Sequence, residues 1–365
     1  MKTIAFYLPQ FHPIPENDKW WGEGFTEWHN VRKAKALFKG HRQPQVPGEL
    51  GYYDLRDNVI RHKQAQLAHK YGIDAFCYYH YWFNGKQLLE TPVTKMLSDD
   101  ECDMPFCLCW ANENWSRAWD GKNREILMEQ TYNLEDHQKH AEHLCEIFKD
   151  SRYLKSDGRP VFIIYRIGKI PNAAEFVRIL NETSQKAGFD GVRIFAVRNP
   201  TYDVPDETLR TWGISDIVDF EPNAKDFPKR SMVGKTIRLL QRKWNSFAKI
   251  WQGPEFYSVL RVPYKSVVEN ALKLYDTLGE NHYPTVFPNW DNSPRRKAAT
   301  IIQSESPDDF AVWVRSAAEI LRKRPKEKQF LFINAWNEWA ESAHLEPDQE
   351  TGTSFLEAFK RGIEP

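Results

Sequence analysis

Cysteine is scarce in this chain. Its five residues, Cys77, Cys102, Cys107, Cys109 and Cys145, are an odd number among 365, and three fall in apolar, strand-like stretches, which argues against a disulfide framework. Cys107 and Cys109 stand at i and i+2 of an expected strand and share one face; they read as small buried hydrophobes rather than a metal pair. Long apolar runs are missing too. No stretch approaches the roughly 20 residues of a membrane helix, and the opening Met1-Lys2-Thr3-Ile4-Ala5-Phe6-Tyr7-Leu8-Pro9 is too short for the apolar part of a signal peptide. The expectation is a soluble cytoplasmic protein, at most peripheral at the inner membrane. Nor is there an excess of either charge: Lys+Arg and Asp+Glu are 50 each, so nucleic acid is not an expected partner. Glycine-rich phosphate loops (GxGxxG, GxxxxGK[ST]) are absent, as are HExxH, GxSxG and a strict DxD. No cofactor and no metal are expected.

Against these absences stands a repeating pattern. Short β-rich runs occur at Ile4–Leu8, Ala75–Tyr79, Phe106–Trp110, Val161–Tyr165, Arg193–Val197, Ile217–Phe220, Pro284–Phe287 and Phe330–Asn334, each a candidate buried parallel strand. Amphipathic helical patterns separate most of them. One covers Leu134–Lys149, with Leu134, Ala141, Leu144, Cys145 and Phe148 on its apolar face; others cover Ala174–Ala187, closed by Gly188, and a run from about Pro307 to Arg322–Arg324. Eight strands alternating with helices predict a single α/β domain over 1–365, a (β/α)8 barrel with elaborated βα loops. A doubly wound open sheet is the alternative, and the missing phosphate loops count against it. One composition shift stands out, a basic excursion at about 222–262: between Lys225 and Lys249 eight basic residues meet only Asp226. It reads as a solvated helix or as a contact for a lipid-linked or otherwise anionic glycan.

In such a barrel the chemistry belongs just after the strand ends. Those positions collect aromatic and polar residues: Tyr7 and His12 near the first strand, Trp28 in the loop beyond, His80 after the second, Trp110, Asn112, Glu113 and Trp115 after the third, Glu221 after the sixth, Trp290 and Asp291 after the seventh, Asn337 and Trp339 after the eighth. With 14 Trp, 15 Tyr and 22 Phe in the chain, flat rings beside acids and amides suit a sugar, which offers an apolar face and directional hydroxyls. The sharpest pair is Glu338 and Glu341. Three residues apart on one helical turn, their Cβ atoms would lie roughly 5–6 Å apart, close enough for each carboxylate to raise the other's proton affinity. His137, His140 and His143 share an i, i+3 spacing and read as a solvated polar face.

Several segments together resemble one family: Ala5-Phe6-Tyr7-Leu8-Pro9-Gln10-Phe11-His12-Pro13, Trp21-Gly22-Glu23-Gly24-Phe25-Thr26-Glu27-Trp28, Trp110-Ala111-Asn112-Glu113, and Asn337-Glu338-Trp339-Ala340-Glu341 with Leu345-Glu346-Pro347. They are similar to the WbsX family, a glycoside hydrolase family 99-like group often labelled glycosyltransferase and found with bacterial surface-polysaccharide genes. The resemblance implies a (β/α)8 fold related to endo-α-mannosidases. It implies a retaining, endo-acting mechanism through a 1,2-anhydro sugar, with Glu338 as the base on the 2-hydroxyl and Glu341 as the acid/base at the glycosidic oxygen. Ala340 stands where family 99 proper has His in its Asn-Glu-Trp-His-Glu motif, a departure that bears on α-mannoside specificity. The expected substrate is a bacterial surface oligosaccharide or polysaccharide, or its precursor. Two alternatives stay open: a WbsX-type glycosyltransferase of O-antigen or lipopolysaccharide synthesis, and a non-catalytic glycan-binding barrel.

Overall fold

The structure is a computed structural model that describes residues 1–117, 122–198, 204–223, 227, 240, 243, 244 and 259–365. The basic excursion expected at about 222–262, and with it nearly all of Lys225–Lys249, lies outside the described residues.

Eight parallel strands close on themselves: β1 (Lys2–Tyr7), β2 (Ala75–Phe83), β3 (Phe106–Trp110), β4 (Arg159–Ile164), β5 (Arg193–Arg198), β6 (Asp216–Asp219), β7 (His282–Val286) and β8 (Phe330–Ile333). Each pairs in parallel with the next along the chain. The ring closes where Lys2–Ala5 of β1 pair with Phe330–Ile333 of β8. The eight predicted strands are these eight. Closure settles the choice against an open doubly wound sheet, because the edge strands of such a sheet would not meet.

A barrel helix follows each strand: α1 (Asn58–Lys70), α2 (Thr91–Leu97), α3 (Leu134–Phe148), α4 (Ala173–Lys186), α5 (Asp206–Thr211), α6 (Tyr264–Tyr275), α7 (Pro307–Arg322) and α8 (Ser354–Ile363), and the loop between β1 and α1 carries two further short helices, Pro15–Trp21 and Trp28–Lys33. Local chemistry sets several of the ends. Asn133 accepts from Asp136 N at the start of α3, and Ser306 accepts from Asp308 N and Asp309 N ahead of Pro307 in α7. The apolar face of α3 differs from the expected one: Leu134 is exposed, whereas His137 and His140 are buried. They lie one turn apart on the inner side of α3, where His140 stacks on Trp82 and meets Trp110 edge-on while His137 packs against Phe176, so they form no solvated face.

Strand pleating sorts side chains into two layers. Phe6 points into the barrel and meets Tyr79, Phe220 and Phe332. Tyr7, one residue on, points into the helical layer and donates to Gln64 of α1 at 2.8 Å. At the barrel bottom Arg193 makes a two-pronged contact with Asp216 (3.0 and 2.9 Å) and donates to Tyr283, a buried plug that leaves the opposite end open for chemistry. Among the described residues no helix is long and apolar enough to cross a membrane.

Candidate active site

Beyond β8 the chain makes a short hairpin. Asn337–Glu338 pair antiparallel with Ala343–His344 around the 3-10 turn Trp339–Glu341, and Ser342 supplies the left-handed residue (φ 55°) that turns the chain back. Residues i and i+3 of a 3-10 turn eclipse one another. That geometry, rather than the α-helical turn expected from spacing, brings Glu338 and Glu341 to one side. Both line an open cleft of about 320 Å³ at the C-terminal mouth of the barrel. Its walls include Gln10 and Asn17 from the loop after β1, Tyr79 and Tyr81 of β2, Glu113 and Trp115 after β3, Tyr165 after β4, and Arg295 and Arg296 after β7.

A guanidinium holds the acids. Arg295 directs Nε to Glu27 at 2.8 Å, Nη2 to Glu338 at 2.7 Å and Nη1 to Glu341 at 3.3 Å. Glu27 is fully buried, and its Oε1 also accepts from Asn30 at 2.9 Å. Burial pushes the Glu338 carboxyl up to about 8; Arg295 pulls against this, while Glu341 and Glu27 reinforce it. Glu338 therefore keeps its proton at neutral pH. Asn17, 1% exposed, lines the same cleft, and its Nδ2 has no acceptor among the described residues, as suits a donor for a bound hydroxyl.

The hairpin is anchored from behind. Asn337 accepts from Leu8 N at 2.7 Å and donates to Leu8 O at 3.1 Å, tying the turn to the end of β1. Trp339 stacks on His344 (3.6 Å, 15°) and donates to Glu346 at 2.7 Å. Glu346 also receives Gln64 Nε2 and the Tyr53 hydroxyl; burial raises its carboxyl to about 7 against these donors. Trp28 packs on Trp339 and donates to Tyr53 O.

Of the residues expected to bind substrate, the structure brings Glu113 and Trp115 to the cleft beside Glu338 and Glu341. Glu113 pairs with Arg166 and Lys169, and Trp115 lies edge-on to Tyr81. The others lie elsewhere. Tyr7, His80 and Trp110 face the helical layer: His80 contacts His140 at 3.0 Å and is held neutral by burial, which lowers it to about 3, and Trp110 packs on Phe176 and His140. Asn112 braces the loops after β3 and β4 through Arg166 N and O. Glu221 caps its own turn at Asn223 N, and Asn334 donates to its carbonyl. His12 is buried, and desolvation lowers its imidazole to about 4. Trp28, Asn337 and Trp339 form the anchor just described. Trp290 packs half-buried on the core. Asp291 holds His41 (2.8 Å) and Gln43 (2.7 Å), and Gln43 also reaches Ser342; it lines a separate polar cavity with Phe38, Arg42 and Arg261.

Sequence reasoning did not select Arg295, Glu27, Asn17, Tyr79 or Tyr81. The Arg295-Arg296-Lys297 triplet just past the seventh strand end was the available signal for the first. Among the described residues no group of three or more His, Cys, Asp or Glu is arranged to hold a metal.

Residues 3–359 match the model of a family described as "Glycosyltransferase WbsX". Two curated relatives, each described as "Uncharacterized protein WxcX" and from two strains of Xanthomonas campestris pv. campestris, are 38% identical over 362 residues. The match covers 99% of this chain and 49% of theirs, so the chain spans about half the length of the curated relatives it matches. Among solved structures, a "Glycoside hydrolase-like protein" superposes with a TM-score of 0.61 at 14% identity, covering 100% of this chain and 94% of the other. A GH99 endo-alpha-mannosidase from Bacteroides thetaiotaomicron superposes with a TM-score of 0.54 at 14% identity, covering 99% and 95%. At such identities the likeness is one of fold.

Proposed function

We propose, on the premise that this chain belongs to the WbsX family and is a carbohydrate-active enzyme, that it cleaves a bacterial surface glycan or its precursor by retaining glycoside hydrolysis. The observation that carries the reading is the convergence of Glu338 and Glu341 on one cleft, one of them holding a proton at neutral pH. Retaining enzymes with a carboxylate nucleophile need acids on opposite sides of the bond. A pair on one turn suits a substrate that supplies its own nucleophile. One carboxylate takes the proton of the sugar 2-hydroxyl, whose oxygen closes on C1; the C1–O bond to the departing sugar breaks, and its oxygen takes the proton of the other carboxyl. Water then opens the 1,2-anhydro ring with the proton transfers reversed. Trp115, Tyr81 and the Asn17 amide supply a stacking wall and a directional donor for the ring.

Glu338→Gln and Glu341→Gln are each expected to abolish the appearance of new reducing ends from a panel of bacterial surface polysaccharides, with the melting temperature preserved. Full turnover in either variant refutes the reading. The two roles separate with a glycosyl fluoride of the cleaved sugar, whose leaving group needs no proton: it restores turnover in the acid variant alone.

The family's description favours a second reading, transfer from an activated donor. Calorimetric titration decides between them. Hydrolysis expects binding of free oligosaccharide and none of a nucleotide- or lipid-linked sugar; the reverse pattern selects transfer.

A further inference from the structure

The proposed acid/base chemistry leaves a third carboxylate and a cation without a role. Glu27 comes from the loop after β1 and Arg295 from the loop after β7, two elements far apart in sequence, and they meet beside the Glu338–Glu341 pair, with Arg295 on the cleft wall. Glu27 is fully excluded from solvent, and its Oε1 takes two donors, Arg295 Nε and Asn30 Nδ2. The other two arms of Arg295 reach Glu338 and Glu341. Three carboxylates around one guanidinium cannot all be ionised out of water without uncompensated negative charge.

We infer that the Glu27–Arg295 ion pair is a positioning device that sets which carboxyl of the catalytic pair carries the proton, Glu27 acting to keep it on Glu338 and Arg295 to let it go. The inference rests on the acid/base reading of that pair and assigns its regulation to residues that need not touch the sugar. The geometry supports both halves. Arg295 spans the two catalytic carboxylates with adjacent Nη atoms, so it steadies whichever is ionised as the proton moves between them. Glu27 occupies its third arm and cancels most of its charge, without which a bare guanidinium would hold both acids ionised and leave no proton to donate. The other titratable or charged groups facing the pair are Tyr79 and Tyr81 of β2, Glu113 after β3 with its partners Arg166 and Lys169, Tyr165 after β4, and Arg296 after β7. Burial raises all three tyrosines, so each remains a neutral phenol while the carboxylates titrate.

The test reads the carboxyl directly and needs no glycan. Protein labelled with 13C at the glutamate carboxyls is titrated by NMR, and the Glu338 resonance is assigned by its loss in E338Q. The expected midpoint of Glu338 falls by at least about one pH unit in E27Q and rises by at least about one in R295Q, the size of shift that a charge at 4–6 Å produces. The double variant E27Q/R295Q returns to within about half a unit of the parent, and R295K, which keeps the charge, stays near it. Opposite shifts with compensation cannot come from loosened packing alone. Shifts of the same sign, or an unmoved midpoint in E27Q, overturn the inference, and E27Q preserves shape well enough to decide it should R295Q not fold. A protein inactive on every glycan but showing these shifts defeats the hydrolase reading and leaves the device intact; the converse result does the opposite.

Discussion

On β2 neighbouring residues meet opposite fates. Tyr79 and Tyr81 stand in the cleft with Glu338 and Glu341, whereas His80 and Trp82 between and beyond them are sealed under α3, where Trp82 lies parallel to His140 at 4.7 Å and 7°. The end of β1 divides in the same way: Leu8, the residue just beyond the strand, lines the cleft and Tyr7 bonds to α1. Both layers are aromatic. What separates them is parity along the strand, because a pleated strand sends alternate side chains to opposite faces. Ring and polar content at a strand end therefore identifies a mouth without saying which residue faces it.

The comparison can be broken by exchanging effects between the layers. The largest effect belongs to the cleft. Glu338→Gln or Glu341→Gln is expected to reduce turnover by about 10²–10⁴-fold, the usual worth of a positioned acid or base, read as reducing ends released per enzyme. Next comes the outer layer. Trp110→Ala is expected to destabilise the fold by about 3–5 kcal/mol in urea titration, because a fully buried indole leaves a cavity. The cleft-facing Trp115→Ala is expected to cost less than about 1 kcal/mol of stability and instead to weaken glycan binding by about 0.5–1.5 kcal/mol. A stable Trp110 variant with weakened binding would reverse the assignment of layers.

Asn337→Ala tests the anchor. Removing its two bonds to Leu8 leaves buried backbone groups unpaired, for an expected loss of about 1–3 kcal/mol. The response to pH tests the raised carboxyls. Glu338 keeps its proton up to about 8 and Glu346 up to about 7 in the fold, whereas the unfolded chain loses both near 4.3. The folded protein thus binds extra protons between these values, so the contribution is complete below pH 4 and drains away as pH rises through 7 and 8. The melting temperature should fall from pH 5 to pH 9, and Glu338→Gln should flatten that slope. A slope of the opposite sign would contradict the raised carboxyls.

Much of the fold was legible because eight apolar runs alternating with amphipathic helices admit few closures, and all eight strands lie where periodicity put them. The position of Glu338 and Glu341 was legible through their spacing and the motif around them. The rest needed three dimensions. Trp28, Asn337 and Trp339 sit at a strand end or in a βα loop, as a binding residue would, yet they clamp the hairpin from behind. His137 and His140 looked like a polar face, yet His140 packs on Trp82 and Trp110 and His137 on Phe176. Arg295 and Glu27 are separated by most of the chain, and no local pattern announces that one guanidinium will meet three acids. Parity errors at His80 and Trp110 share a cause: where a strand is buried on both sides, neither face shows the polar alternation that reveals which is which.

The most direct test is the structure of the Glu338→Gln protein with a bound oligosaccharide. One sugar ring is expected in the cleft between Trp115 and the hairpin, with residues 338 and 341 both within hydrogen-bonding reach of that ring or of its glycosidic oxygen. A glycan seated in the cleft beyond the reach of both residues, or bound in the cavity beside Asp291 and Arg42 with the cleft empty, would contradict the assignment of Glu338 and Glu341 as the catalytic pair.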